Sequence, residues 1–189
     1  MMDELASSGI PIVGFLVVEK TATGDGYIAA LMVTDNRGYP LEFKASTPIR
    51  PSLVQRTLYG NQLEHYIGVE LCGKVLIQQA ARKARLILVP ERQLLDISSQ
   101  ANVNMAAIWH AGESIKVDDA TQSASQGNIN PASSTFHPVV YEGRFIDGPN
   151  EKEAVAFLND CAKRFDLVET FERIRSALRL LAREDPRYA

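Results

Sequence analysis

Few side chains in this sequence of 189 residues have the types and the spacing that a catalytic or metal site requires. The three histidines are scattered, and the two cysteines, Cys72 and Cys161, do not form a C-x-x-C pair, so the pattern of a zinc site is missing. The sequence also contains no G-x-x-x-x-G-K-[ST] loop, no G-x-G-x-x-G and no G-x-S-x-G. The absence of these motifs argues against a phosphate-cradling loop and a serine-hydrolase elbow. Neither a metal nor a cofactor is expected from these residues.

Acidic residues at predicted strand ends are the set that could do chemistry. Glu19 lies at the end of the first predicted strand, and Glu91 lies just past the predicted strand Leu86–Val89. If the two strands are parallel neighbours, both carboxylates lie outside their carboxyl ends, where the sites of open α/β sheets collect. Carboxylate oxygens suit Mg²⁺, and two-metal phosphodiester chemistry uses such clusters. The candidates for a third ligand are Asp96, Glu64 and Glu70.

The elements that would position these carboxylates begin with a three-stranded antiparallel meander. The predicted strands are Ile12–Lys20, Tyr27–Thr34 and Tyr39–Thr47. Ser52 and Gln55 form a capping box that opens a helical stretch reaching about Ala81. Because the strand Leu86–Val89 follows this stretch, a right-handed crossover should return it parallel to an earlier strand. The expected fold class is α/β (or α+β), with a mixed sheet and a C-terminal two-helix segment.

This β-β-β-α-β order, over roughly residues 12–110, is similar to that of the ribonuclease-H-like fold. The resemblance implies a Mg²⁺-dependent nuclease or its inactive relative, with Glu19, Glu91 and Asp96 as the site residues. Nucleases of that fold prefer an aspartate within the first strand, whereas Phe15-Leu16-Val17 stands at the centre of this one.

Basic residues are concentrated near the middle of the chain, although the whole chain carries a net charge of −3. That net charge excludes a globally basic nucleic-acid coat. The tightest basic cluster is Arg82, Lys83 and Arg85, which could contact phosphates, since these bind mainly through charge. The alternative interpretation is a solvated helix end at the negative pole of the helix dipole. Arg50 and Arg56 lie in a segment with a tight turn, three prolines and a capped helix start, which predicts either a second docking face around these arginines or only a well-built turn and crossover.

The last predicted helix carries a narrow apolar seam with spacings of 4, 3, 4 and 3 residues. Such a seam packs on the parent domain or docks a partner or a twin subunit. The seam residues are Leu167, Phe171, Ile174, Leu178 and Leu181. Residues 113–136 are polar and lack an apolar period, which predicts a mobile loop. The chain would then divide into an α/β domain at 10–112, that loop, and a C-terminal strand with two helices at 137–189.

These observations favour one functional class and leave one alternative. Without a catalytic signature, the seam and the basic surface predict a non-catalytic binding or assembly subunit of a larger cytoplasmic complex. Its partner would be a protein or a second copy of the chain, with nucleic acid as a further candidate. The alternative is a ribonuclease-H-like divalent-metal nuclease or its inactive relative, which would use Mg²⁺, so enzymatic activity stays open. The apolar run Ile10–Val18 is too short to cross a bilayer, and no membrane association is expected.

Overall fold

The computed structural model describes residues 11–112, 125–130, 136–146 and 148–188. Within these ranges, seven strands form one mixed sheet in the order β3-β2-β1-β4-β5-β7-β6. The strands are β1 (Ile12–Lys20), β2 (Tyr27–Asp35), β3 (Pro40–Ala45), β4 (Leu86–Val89), β5 (Met105–His110), β6 (Ser125–Ile129) and β7 (Val139–Arg144). The α-helices are α1 (Leu53–Tyr59), α2 (Leu63–Tyr66), α3 (Lys74–Gln79), α4 (Ile97–Ala101), α5 (Gly148–Ala162) and α6 (Glu169–Glu184). Short 3₁₀ turns cover Gly60–Gln62, Arg92–Asp96 and Pro186–Tyr188, and a π-helical segment covers Ile67–Gly73.

The predicted meander and the predicted parallel return of the fourth strand are confirmed. β1 pairs antiparallel with β2, and β2 with β3, which lies at one edge of the sheet. The turn between β2 and β3 places Gly38 at φ 82°, a conformation that favours glycine. β4 then returns parallel to β1, with Val13 opposite Leu86. β2 and β4 are buried on both faces because helices cover the sheet on each side.

The crossover begins where the capping box predicts it. The Ser52 hydroxyl accepts from the backbone N–H of Gln55, and the Gln55 side chain accepts from the backbone N–H of Ser52. The helical stretch is broken at Gly60, which has φ 49°. In the π-helical segment, a Cβ added to Gly73 would lie 2.4 Å from the side chain of Ile97. Glycine at this position therefore allows the close contact with Ile97.

The C-terminal helices pack on the opposite face of the sheet from this crossover. Phe171 is buried, and its ring centroid lies 5.7 Å from that of Phe15 on β1. The seam residues Leu167, Phe171, Ile174 and Leu178 all belong to the core on this face, whereas Leu181 is partly exposed. The prediction that this seam docks a partner is wrong, because the chain's own sheet occupies it.

The predicted polar loop differs from the structure at residues 125–129. These residues form β6, which pairs antiparallel with β7 at the second edge of the sheet. The tyrosine ring of Tyr141 covers Gly127, where an added Cβ would meet it at 2.7 Å. The parts 113–124 and 131–135 of the predicted loop lie outside the described residues, and the division at 10–112, 113–136 and 137–189 stays a prediction. No helix in the described part of the chain is long and apolar enough to span a membrane.

Candidate functional site

Glu19 and Glu91 lie at the same edge of the sheet, outside the carboxyl ends of two neighbouring strands. β1 and β4 are parallel, with Phe15 opposite Leu88, so the chain leaves both strands in the same direction. Glu19 is the penultimate residue of β1, and Glu91 is the second residue after β4. We call this region the carboxyl edge. Its position agrees with the general placement of sites in α/β sheets.

A third carboxylate, that of Glu64 on α2, joins them. The Nζ atom of Lys20 lies 3.5 Å from Oε1 of Glu64, which places α2 beside the end of β1. Partial desolvation raises the pKa of the Glu91 carboxyl, and the negative charges of Glu19 and Glu64 raise it further. A hydrogen bond of 2.6 Å from the Gln93 amide acts in the opposite direction. Glu91 still reaches solvent, so its desolvation is incomplete. The three acidic side chains thus share one electrostatic environment.

Arg175 of α6 binds two acidic side chains at this edge. Its Nε donates to Oε1 of Glu19 at 2.6 Å, and its Nη1 donates to Oε1 of Glu172 at 2.5 Å. Partial burial disfavours the guanidinium charge, but these hydrogen bonds outweigh it and raise the pKa of Arg175. The same charge works to lower the pKa of Glu91. The carboxyl edge therefore alternates negative and positive groups.

The other predicted ligands have partners elsewhere. Asp96 accepts from Nε2 of His65 at 2.7 Å and from the guanidinium of Arg144. Desolvation alone would raise the pKa of Asp96, but the hydrogen bonds from these two residues lower it. Glu70 accepts from the Gln100 amide at 2.6 Å. The site-residue set Glu19, Glu91 and Asp96 stays a prediction, and Asp96 contributes to a separate ion-pair cluster.

The donor set does not fit the Mg²⁺ centre that the ribonuclease-H-like resemblance implies. Among the described residues, no group of three or more histidine, cysteine, aspartate or glutamate side chains is arranged to hold a metal ion. The centre of β1 supplies no ligand, because Phe15, Leu16 and Val17 are apolar and fully buried. Glu19, which the resemblance offers as a ligand, is already bound to Arg175.

A stripe of arginines on α6 runs away from these carboxylates along a cleft of about 460 Å³. We call Arg175, Arg179 and Arg183 the arginine stripe. The three residues are four positions apart, so they share one side of the helix. The cleft also includes Lys20 at the end of β1 and Tyr188 near the C-terminus. Sequence patterning assigns these arginines only to the polar side of α6, and their four-residue spacing is the signal that could have identified the stripe.

The loop after β1 holds Arg50 and Arg56, one of the two predicted basic sets, at the same edge. Asp25 organises this loop by accepting from the hydroxyls of Thr21 and Thr23. Arg50 donates from Nε to Oδ2 of Asp25 at 3.0 Å, and Arg56 donates to the backbone carbonyl of the same residue. Hydrogen bonds from Thr23 and Thr21, aided by Arg50, lower the pKa of Asp25 to about 2. Arg50 and Arg56 therefore lie beside the carboxyl edge.

The basic cluster Arg82, Lys83 and Arg85 lies at the opposite edge. The backbone N–H of Arg85 donates to the carbonyl of Ile12, the first residue of β1. We call this region the amino edge. The Lys83 amine donates to the carbonyl of Gln78 at 3.2 Å, which ties it to the end of the preceding helix. The structure thus separates the two sets of predicted binding residues.

Neither cysteine is a nucleophile candidate in this arrangement. Cys72 and Cys161 are both free and buried. Burial raises the pKa of the Cys161 thiol to about 12, and burial also raises that of Cys72. Both side chains therefore stay protonated at neutral pH.

No protein-family model matches the sequence, and no curated protein matches it either. Solved structures do match. The structure is similar to the Endonuclease V from Streptomyces avermitilis, with a TM-score of 0.58 and 14% identity, over 93% of this chain and 83% of that one. It is also similar to Endonuclease V from Ciona intestinalis, which was solved in complex with a 24mer DNA containing an inosine followed by a ribo-adenosine. That match has a TM-score of 0.50 and 8% identity, over 91% of this chain and 88% of that one.

These likenesses show a shared α/β fold, and they correct the main functional expectation. A non-catalytic assembly subunit was expected from the apolar seam and the missing motifs. The fold instead resembles that of two solved Endonuclease V structures over nearly the whole chain, and this finding overturns the expectation. The apolar seam of α6 does not support an assembly subunit either, because Phe171 and its neighbours lie in the core of the chain itself.

Proposed function

We propose that this chain binds the phosphate backbone of nucleic acid at the carboxyl edge of its sheet, as a nuclease or a nuclease relative. The observation that carries the proposal is the arginine stripe, which lines a cleft directly beside the end of β1. The fold likeness to endonuclease V structures supports the same class of ligand.

The geometry of the stripe suits an extended polyanion. Four helical residues rise about 6 Å, so the three guanidinium groups follow one line along α6. Arg179 and Arg183 are exposed, and within the part of the chain that the structure describes neither forms an ion pair. Arg179 makes one neutral contact, a 2.9 Å hydrogen bond to the Ser176 hydroxyl. Guanidinium groups in this state can exchange water for phosphate oxygens without breaking an existing salt bridge.

The cleft also offers contacts for the rest of a nucleotide. Ile28 and Leu178 contribute apolar surface, and Tyr188 contributes an aromatic ring. Aromatic rings stack on bases with little sequence preference, whereas base-edge readout needs side chains placed in a groove. We therefore propose binding that depends on the backbone more than on sequence. A cytoplasmic location remains part of this proposal, in keeping with two free cysteines.

Fluorescence anisotropy with a labelled single-stranded and a labelled double-stranded oligonucleotide tests the proposal. The double variant Arg179→Gln/Arg183→Gln should weaken binding and lower the slope of log K against log salt by about 1.5, because two phosphate contacts are lost. Thermal unfolding should be unchanged within about 0.5 kcal/mol, since both side chains are exposed.

The matched control removes the same charge at the amino edge. Arg82→Gln/Lys83→Gln should leave affinity and salt slope close to those of the parent protein. If this control instead reduces the slope and the stripe variant does not, the basic cluster predicted from sequence is the binding surface. Equal, small effects of both variants would overturn the proposal.

A further inference from the structure

Arg175 binds Glu19, a carboxylate that the resemblance to metal nucleases offers as a ligand for a divalent cation. We propose that Arg175 serves as a built-in cation for the strand-end carboxylates, so that the carboxyl edge holds nucleic acid without a divalent metal. This inference rests on the proposed function and specifies it as that of an inactive nuclease relative. Arg175 is a positioning residue in this account, since it acts through the carboxylates.

The contacts of Arg175 already occupy Glu19, one of the predicted ligands. Glu19 and Glu172 accept from two different nitrogens of its guanidinium, at 2.6 and 2.5 Å. Its side chain is 27% exposed, and that of Glu19 is 35% exposed, so the pair is partly shielded from solvent. A metal ion that used Glu19 would have to displace a charge-assisted hydrogen bond.

The remaining carboxylates are also engaged. Lys20 lies 3.5 Å from Glu64, and the Gln93 amide donates to Glu91 at 2.6 Å. Each of the three acidic side chains at the carboxyl edge therefore has a cationic or hydrogen-bonded neighbour among the described residues. Mg²⁺ prefers near-octahedral oxygen coordination and gives up its waters reluctantly, so carboxylates that already have other partners are a poor site for it.

The apolar core around the centre of β1 would also disfavour an aspartate there. Leu16 is fully buried within the core beneath the π-helical segment. A Cβ added to Gly73 would lie 3.1 Å from Cδ2 of Leu16, which shows how closely the two elements approach. An aspartate at position 16 would place a carboxylate in this apolar layer, where ionisation is strongly disfavoured.

The arrangement gives Arg175 a second consequence for binding. Glu19 and Glu172 lie beside the arginine stripe and would repel phosphates if they were unpaired. By binding both, Arg175 offsets one of their two negative charges, and Arg179 and Arg183 then make the local charge positive. Binding should then be insensitive to chelators, because the neutralising charge is covalently part of the chain.

Mn²⁺ titration followed by electron paramagnetic resonance tests the inference without any nucleic acid. The parent protein should show no saturable binding up to about 1 mM Mn²⁺. Arg175→Gln should gain saturable binding, with a Kd at least tenfold below that limit. The added variant Arg175→Gln/Glu19→Gln should lose that gain. Arg175→Lys keeps the positive charge and should behave like the parent.

Arg173→Gln is the matched control on the same helix, because Arg173 donates to the carbonyl of Gly38 and not to the strand-end carboxylates. It should not bind Mn²⁺. Saturable binding by the parent protein, abolished by Glu19→Gln, would overturn the inference, and so would Arg175→Gln without any gain. If Arg175→Gln fails to fold, the parent and Arg175→Lys titrations still decide. Anisotropy in EDTA and in Mg²⁺ reports on nucleic-acid binding separately, so failure of the proposed function is distinguishable.

Discussion

The carboxyl edge and the amino edge of the sheet both carry arginines, but their cations have different supports. At the carboxyl edge the arginine stripe extends from α6, whose other side is buried against β1. At the amino edge, Arg82, Lys83 and Arg85 lie in a connection between α3 and β4. A helix holds side chains at fixed intervals, whereas a connecting segment does not impose a repeat. The proposed function thus assigns the polyanion site to the regularly spaced arginines of α6 and not to the denser cluster of charge.

The two edges also differ in what their acidic residues do. At the carboxyl edge Glu19 holds the guanidinium of Arg175. At the amino edge Glu42 accepts from the backbone N–H groups of Ala81 and Arg82, both at 2.9 Å. One carboxylate organises side-chain charge, and the other organises the backbone of a turn. Replacing Glu19 should therefore change the charge around Arg175, whereas replacing Glu42 should destabilise the turn.

The largest expected effect comes from removing the anchor of α6. Phe171→Ala should lower the free energy of unfolding by about 3–5 kcal/mol, because Phe171 is buried against Phe15 and its loss leaves a cavity. Chemical denaturation measures the change. Leu180→Ala on the same helix is the control, since Leu180 is 55% exposed and should cost at most about 0.5 kcal/mol. Equal losses in the two variants would mean that α6 is not anchored through this face.

A smaller effect is expected at the amino edge. Glu42→Gln should lower the free energy of unfolding by about 1–2 kcal/mol at pH 7, because a charged acceptor of two backbone N–H groups becomes neutral. Desolvation would raise the pKa of Glu42, but the hydrogen bonds from the two backbone groups lower it below its ordinary value of 4.5. A lowered folded-state pKa means that this stabilisation is complete above pH 4.5 and is lost as the pH falls through the folded-state pKa.

The difference in the free energy of unfolding between the parent protein and Glu42→Gln should therefore become smaller from pH 7 to pH 3, as measured by urea denaturation. Glu153→Gln provides the comparison, because the Arg85–Glu153 pair is mostly exposed and contributes little. A gap that stays constant with pH would show that the charge of Glu42 is not what stabilises the turn.

The smallest effect concerns the loop beside the carboxyl edge. Carbon-13 chemical shifts should place the titration midpoint of Asp25 at about 2. Thr23→Ala should move it upward, because the Thr23 hydroxyl is the largest cause of the low pKa. Because the pKa of Asp25 is lower in the folded state, any stability it adds is present above its ordinary pKa and is lost as the pH falls towards 2. A midpoint near 3.8 in the parent protein would contradict the hydrogen-bonded loop.

Local patterns were informative wherever the physical rule is local. The capping box at Ser52 and the glycine turn at Gly38 follow from residues close together in the chain. The parallel return of β4 follows from the rule for crossovers, although its partner β1 lies far from it in the sequence. The same reasoning missed β6, because Ser125–Ile129 is polar and becomes a strand by pairing with β7. It also read the seam of α6 ambiguously, since an apolar face does not reveal what covers it.

The sequence by itself determined the α/β class and the meander, and it placed Glu19 and Glu91 at predicted strand ends. Those features depend on periodicity, turn chemistry and the handedness of crossovers, which act over short distances along the chain. Only the tertiary structure decided that Arg175, 156 residues after Glu19, binds that carboxylate and that the basic cluster lies at the opposite edge. Such pairings depend on which elements the fold brings together, and charge alone carries no information about its partner.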